Sequence, residues 1–206
     1  MRNSILMRFA ATLILFAALA NAQSEKPLKP GLYAVFDTSM GSFTAELYDK
    51  FTPNNVANLV GLATGTRAWY DPKVKAMVKR PLFNGITFHR VVREQMIQFG
   101  DPTGVGTHNC GFTLRDEYLP GLMFDRPGRL GVANTGHPDS GACQFFVTEE
   151  PIRQWNNNYT IIGQIVEGQD VVHKINSVRT NGEKPREPVI INRVFIRRVL
   201  KDSPAK

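Results

Sequence analysis

Apolar residues fall along this chain in three kinds of pattern. The first is a continuous run. Phe9 to Ala20 is apolar at every position but Thr12, and Arg2 and Arg8 precede it with no acid nearby. Ala20-Asn21-Ala22 then offers small residues at the two positions a signal peptidase reads. A basic start, a 12-residue apolar run and a small-residue exit predict a secretory signal over residues 1–22, cleaved after Ala22. The run is well short of the ~20 residues that span a bilayer. No Cys directly follows it, so no stable membrane anchor is expected after cleavage. The mature chain is expected in the periplasm or outside the cell.

The second pattern is alternation. Leu32 to Thr38 and Ser42 to Leu47 alternate around Met40-Gly41, which predicts a β-hairpin with a tight turn. Ile86 to Val92, Met96 to Phe99, Leu130 to Asn134, Cys143 to Thr148, Ile161 to Val166 and Val189 to Leu200 predict further strands. The third pattern is helical spacing. Thr52-Pro53 predicts a helix start, with Thr as the cap and Pro at the first position. Val56, Leu59, Val60 and Ala63 follow, and Gly65 ends the helix. Val171, Val172, Ile175 and Val178 share one face of a second helix over 170–178. Thr66 to Arg80 reads as a basic surface loop and Asp101 to Gly111 as a Gly-rich one. The organisation is a polar leader at 23–30, one domain at 31–200 and a tail at 201–206. Many short strands with two short helices predict a mainly β fold, a closed antiparallel barrel with helices at its ends. Closure removes the exposed edges an open sheet would carry.

Composition narrows the function classes. Of 206 residues, 42% are apolar and 21% charged, which excludes a disordered or collagen-like chain. The 17 Gly and 13 Pro argue against a helical bundle, and two Cys exclude a disulfide scaffold. The net charge of +7 falls to +5 once Arg2 and Arg8 are removed with the signal. Basic residues cluster at Lys73, Lys75, Lys79 and Arg80, and again at Arg193, Arg197, Arg198 and Lys201. No aromatic-interleaved basic stripe accompanies them, so they read as a solvated surface and no nucleic-acid partner is expected. His108, Cys110, His137 and Cys143 match no metal-ligand spacing, and no metal or cofactor is expected.

Three segments carry the chemistry. They are Phe88-His89-Arg90-Val91-Val92 with Met96-Ile97-Gln98-Phe99-Gly100-Asp101, Gly131-Val132-Ala133-Asn134 with Gln144-Phe145-Phe146-Val147, and Tyr159 through Gly168. In order and spacing they resemble the cyclophilin family of peptidyl-prolyl cis-trans isomerases, from about Leu32 to Leu200. The resemblance implies an eight-stranded antiparallel β-barrel capped by two helices. It also implies a wall groove that binds proline-containing segments of unfolded or exported proteins, and a monomer. Arg90 matches the family's catalytic arginine. Gln98 and Asn134 match groups that hold substrate backbone and support the arginine, and Gln144 resembles another. Met96 and Phe146 match the apolar floor under the proline ring. Ala133 and Gly106 match the adjoining groove, and Trp155 the pocket tryptophan.

The sequence departs from the family at three pocket positions. Gln95 stands where the family has a phenylalanine, Asn156 where it has a leucine, and Tyr159 where it has a histidine. Burying a Phe or Leu contributes ~1.5–3 kcal/mol, so weaker binding of the proline ring is expected. An isomerase of altered efficiency or specificity is the leading expectation. A proline-peptide-binding chaperone of the same fold with little turnover is the alternative. His89 should face away from Arg90 and serve structure. In the family fold the segments of Cys110 and Cys143 border one side pocket. There the two either form a disulfide, as an oxidising compartment permits, or remain free thiols.

Overall fold

The computed structural model describes residues 27–201. The predicted signal, residues 23–26 of the leader and residues 202–206 lie outside them. The predicted hairpin forms from β1 (Gly31–Thr38) and β2 (Gly41–Leu47). Helix α1 (Pro53–Thr64), the short pair β3 (Trp69–Asp71) and β4 (Ala76–Val78), and β5 (Ile86–Thr87), β6 (Arg90–Val92) and β7 (Met96–Phe99) follow. Next come β8 (Arg129–Val132), β9 (Phe145–Thr148), β10 (Ile161–Glu167) and α2 (Gln169–Asn176). A two-residue ribbon, β11 (Thr180–Asn181) with β12 (Lys184–Pro185), precedes the long β13 (Ile190–Val199).

Nine strands make one sheet in the order β5-β13-β1-β2-β10-β8-β9-β7-β6, and every pairing in it is antiparallel. The sheet curls through 295°. The eight expected strands are all present, the one over Ile86 to Val92 being split in two, and the sheet they make is a curled half-barrel whose expected closure is not shown. The split lies at the seam. The strand predicted over Ile86 to Val92 breaks into β5 and β6 at Phe88 and His89, which are buried. Phe88 N–H turns to Val189 O (3.0 Å), and Val91 N–H donates to Glu183 O (2.7 Å). The β11–β12 ribbon thus takes the edge of β6 that closure would need.

The inner face of the curl is the main core. Phe36, Phe43, Phe83, Phe88, Phe99 and Phe145 meet there in edge-on, stacked and tilted pairs. Phe99, at the centre of these pairs, is wholly buried. Gly100 must stay glycine: its φ is +104°, and a Cβ would lie 2.0 Å from Cys143 O. Helix α1 covers the core with Val56, Leu59 and Leu62, and α2 with Val172 and Ile175.

Two local expectations are corrected. Thr52 precedes α1 but makes no side-chain cap; its Oγ1 lies 3.4 Å from the carbonyls of Tyr48 and Ile161. Glu117 caps the helix instead, accepting Asn54 N–H (3.1 Å) and Asn55 N–H (2.9 Å) together with both side-chain amides. Burial pushes that carboxyl up, but these hydrogen bonds outweigh it and hold the group below its ordinary value. The stretch 66–80, expected as a loop, holds the β3–β4 hairpin, because Trp69 is buried and donates its indole N–H to Arg80 O (2.9 Å).

Candidate active site

Side chains alternate across a strand, so successive residues of β6, β7 and β9 serve opposite faces. Val91, Ile97, Phe99, Phe145 and Val147 point into the main core. Their neighbours Arg90, Val92, Met96, Gln98 and Phe146 take the outer face. The register aligns them. Arg90 pairs with Gln98, Gln98 with Phe146, Phe146 with Gly131 and Gly131 with Ile161. One transverse row across five strands therefore runs from a guanidinium to an aromatic floor.

The apolar end of the row is a second core. Met96, Phe146, Ile161 and Phe124 are buried together, with Val92, Ala133, Trp155 and Tyr159 partly buried against them. The ring of Phe146 is edge-on to Trp155 (5.2 Å) and Tyr159 (5.4 Å) and stacked on Phe124 (5.7 Å). Gly131 makes the space: a Cβ there would sit 2.4 Å from Phe146 Cζ. The polar residue at 156 is tied to the backbone of this cluster. Asn156 Oδ1 accepts Phe124 N–H (2.8 Å) and so fixes the backbone of the ring beneath Phe146. Tyr159 supplies an aromatic face where the family has histidine.

The polar end is a chain of side-chain hydrogen bonds. Arg90 Nη1 donates to Gln98 Oε1 (3.2 Å), Gln98 Nε2 to Gln144 Oε1 (2.9 Å), and Gln144 Nε2 to Gly106 O (3.0 Å). Arg90 is also gripped by Glu183, through Nε (2.5 Å) and Nη2 (3.2 Å). The guanidinium is about half exposed. The hydrogen bond from Arg90 holds the Glu183 carboxyl below its ordinary value.

The Gly-rich loop that supplies Gly106 is organised by Asp101. Its carboxylate accepts Thr103 N–H (2.6 Å), Thr103 Oγ1–H (2.6 Å), Gly106 N–H (2.5 Å) and His108 N–H (3.3 Å). Burial raises this carboxyl, and the four bonds more than reverse the effect. Cys110 and Cys143 form a disulfide, Cα–Cα 6.2 Å, which ties the end of the loop to the residue before Gln144. His89 lies under the same loop, 3.3 Å from where a Gly106 Cβ would be. It is 6% exposed, and among the described residues neither ring nitrogen meets the geometry of a hydrogen bond, although the Gln144 side chain and the Asp101 carboxylate lie near enough to favour the charged ring. Burial lowers its pKa, so the neutral imidazole is favoured.

Two expected site residues have partners other than those expected. Gln95 is exposed on the β6–β7 turn, where its backbone N–H bonds Val92 O and its carbonyl accepts Glu149 N–H. Its side chain is absent from the aromatic cluster, because the residue belongs to the turn and Met96 is the first to point onto the outer face. Asn134 makes no side-chain hydrogen bond to Arg90. Its amide is used on Asn158 O (2.8 Å) and on Gly136 N–H (3.0 Å). The arginine is supported by Gln98 and by Glu183, a residue that sequence reasoning missed. Its only signal was an acid in the turn Asn181-Gly182-Glu183-Lys184, far from Arg90 in the chain.

The model of the family described as cyclophilin type peptidyl-prolyl cis-trans isomerase/CLD matches residues 33–196. Among curated proteins, the probable peptidyl-prolyl cis-trans isomerase A of Mycobacterium leprae is 37% identical over 166 residues, covering 79% of this chain and 91% of that protein. The peptidyl-prolyl cis-trans isomerase B of Streptomyces anulatus is 37% identical over 169 residues, covering 80% and 96%. Among solved structures, a cyclophilin type peptidyl-prolyl cis-trans isomerase of Cryptosporidium parvum superposes with a TM-score of 0.71 at 26% identity, covering 80% of this chain and 96% of that one. A second structure of that protein, in the presence of the dipeptide Ala-Pro, gives 0.69 at 25% identity, covering 80% and 98%.

Proposed function

The chain belongs to the cyclophilin-type peptidyl-prolyl cis-trans isomerases, and from that premise we propose how its own residues carry the reaction and where it acts. Rotation about X-Pro faces a barrier of ~18–20 kcal/mol from amide resonance. No bond breaks, so a nucleophile, a metal and a cofactor are all dispensable. At the twisted geometry the proline nitrogen regains its lone pair and accepts a hydrogen bond more readily. A donor fixed at that point favours the transition state over both ground states.

The observation that carries this reading is the transverse row. It sets the Arg90 guanidinium beside a floor of Phe146, Met96 and Trp155 at the distance of two strand pairings. The proline ring rests on the floor. The guanidinium donates to the twisted nitrogen, Gln98 and Gln144 hold the peptide backbone, and the other side of the peptide turns. A charge-assisted hydrogen bond contributes about 1.5–3 kcal/mol, or roughly one to two orders of magnitude in rate. Holding the ring supplies the remainder. The Ala-Pro dipeptide named with the Cryptosporidium parvum structure supports a proline-containing peptide as the ligand.

The test is a protease-free isomerisation assay on an X-Pro peptide. Wild type accelerates exchange, and Arg90→Ala lowers kcat/KM by roughly ten- to a hundredfold. A wild type without catalysis, or an Arg90→Ala variant as fast as wild type, defeats the mechanism. Peptide binding without turnover selects the chaperone reading instead.

The proposed clients are exported proteins. The basic start, the apolar run from Phe9 to Ala20 and the small residues before Gln23 support export. So does the Cys110–Cys143 disulfide, a bond that persists in oxidising compartments. N-terminal sequencing of the mature protein tests the address, and a chain that still begins at Met1 overturns it.

A further inference from the structure

We propose that Glu183 is a positioning residue for Arg90: it fixes the plane of the guanidinium from the side opposite Gln98. This inference rests on the catalytic role proposed above for Arg90. The geometry is two-sided. Gln98 lies on β7 and pairs with Arg90 across the ladder. Glu183 lies off the other edge of β6, in the turn of the β11–β12 ribbon. Its carbonyl accepts Val91 N–H at 2.7 Å, so the carboxylate springs from a backbone already bonded to Arg90's neighbour. Its two oxygens take Nε and Nη2 together, the bidentate grip that suits a planar fork. Gln98 takes Nη1.

A guanidinium carries five N–H donors. Three are used by these partners, which leaves one on Nη1 and one on Nη2 for substrate. A long, half-exposed arginine alone would sample many rotamers. Held between Glu183 and Gln98, it presents those two donors in one direction before substrate arrives. Preorganisation of this kind acts on the turnover step, because the ordering is complete in the ground state. The carboxylate does not touch the reacting amide; it acts through Arg90 alone.

The experiment compares Glu183→Ala, Glu183→Gln, Arg90→Ala and the double variant Glu183→Ala/Arg90→Ala, with kcat and KM separated by exchange NMR on a saturating X-Pro peptide. The fold is retained, since the side chain of Glu183 is exposed and its backbone bond to Val91 survives the substitution. Glu183→Ala is expected to lower kcat about fivefold and to leave KM within about twofold. Glu183→Gln, which keeps one acceptor, recovers part of the loss. In the Arg90→Ala background, Glu183→Ala has no further effect. A Glu183→Ala variant as fast as or faster than wild type overturns the proposal. So does a loss of the same size with Arg90 absent, which would mark a general structural role. If Arg90→Ala alone leaves the rate unchanged, the reading of Arg90 falls, and that failure is distinct from a silent Glu183→Ala.

Discussion

The two ends of the transverse row are built by different physics. At the apolar end, Phe146 is held by contact: Trp155, Tyr159 and Phe124 surround it, and Gly131 leaves room for the ring. At the polar end, Arg90 is held by hydrogen bonds to Gln98 and Glu183, and through Gln98 and Gln144 by a loop of little regular structure. That loop gains its order from the Asp101 carboxylate and from a covalent tie. Packing energy is spread over many small contacts and has no single partner to exchange. Hydrogen bonds are few and directional, so one substitution re-aims the group they hold. Binding strength should therefore follow the apolar end and turnover the polar end.

The harshest way to break the comparison is to empty the apolar end. Phe146→Ala removes a ring buried on all sides, and such truncations cost about 3–5 kcal/mol. Chemical denaturation should show that loss, and peptide affinity should fall with it. A loss below ~1 kcal/mol would mean that the cluster collapses around the gap, and that Phe146 is not the organiser of the floor.

The next effect belongs to the polar end. The disulfide closes a sequence separation of 33 residues. The chain-entropy relation assigns a bridge of that span roughly 3–4 kcal/mol. Reduction is expected to destabilise by that order or somewhat less. In the still-folded fraction it should lower kcat more than affinity, because Gln144 and Gly106 lie beside the bridge and the aromatic floor does not. Peptide titration by fluorescence of Trp155, set beside the exchange assay, separates the two. An affinity that falls as steeply as kcat would show that the ends are not independent.

The same contrast decides what could be read from the chain. Alternation within Ile86 to Val92, Met96 to Phe99 and Cys143 to Thr148 marked the strands, but it was the family likeness that gave Arg90, Met96 and Phe146 their expected roles. The hairpin followed from its turn, α1 from its Pro start and Gly end, and α2 from its apolar face, each to within two positions at each end. What escaped is what depends on long-range partners. Glu183 meets Arg90 across 93 residues, and Glu117 caps α1 across 63. No local pattern marks either carboxylate. Thr52 carried the right cap residue, yet a stronger, charged acceptor from elsewhere took the N–H groups. Asn134 and Gln95 carried positions from the family, but their surroundings here direct them elsewhere. Barrel closure was an inference from the cost of open edges. The ribbon at Glu183 covers part of that edge by another route.

The smallest effect sharpens the comparison by pH. His89 is buried beneath the Gly-rich loop, and burial lowers its pKa from the ordinary 6.5, outweighing the Asp101 carboxylate and the Gln144 side chain that favour the charged ring. In the unfolded chain the imidazole takes up a proton as pH falls below about 6.5; in the folded chain it does so only at lower pH. The unfolded state then binds more protons, so stability falls as pH drops through this window. Asp101, whose carboxyl is held below 3.8, remains ionised throughout the window and contributes no slope there. Denaturation midpoints measured between about pH 7 and pH 5 should thus decline gently in wild type. In His89→Phe, which removes the titrating ring, that part of the slope should vanish. The decline should appear first in the loop, as earlier amide exchange at Gly104 and Gly106, before any change at Phe146. A slope unchanged by His89→Phe, or exchange that rises at both ends together, would mean that acid acts on the domain as a whole rather than on its hydrogen-bonded half.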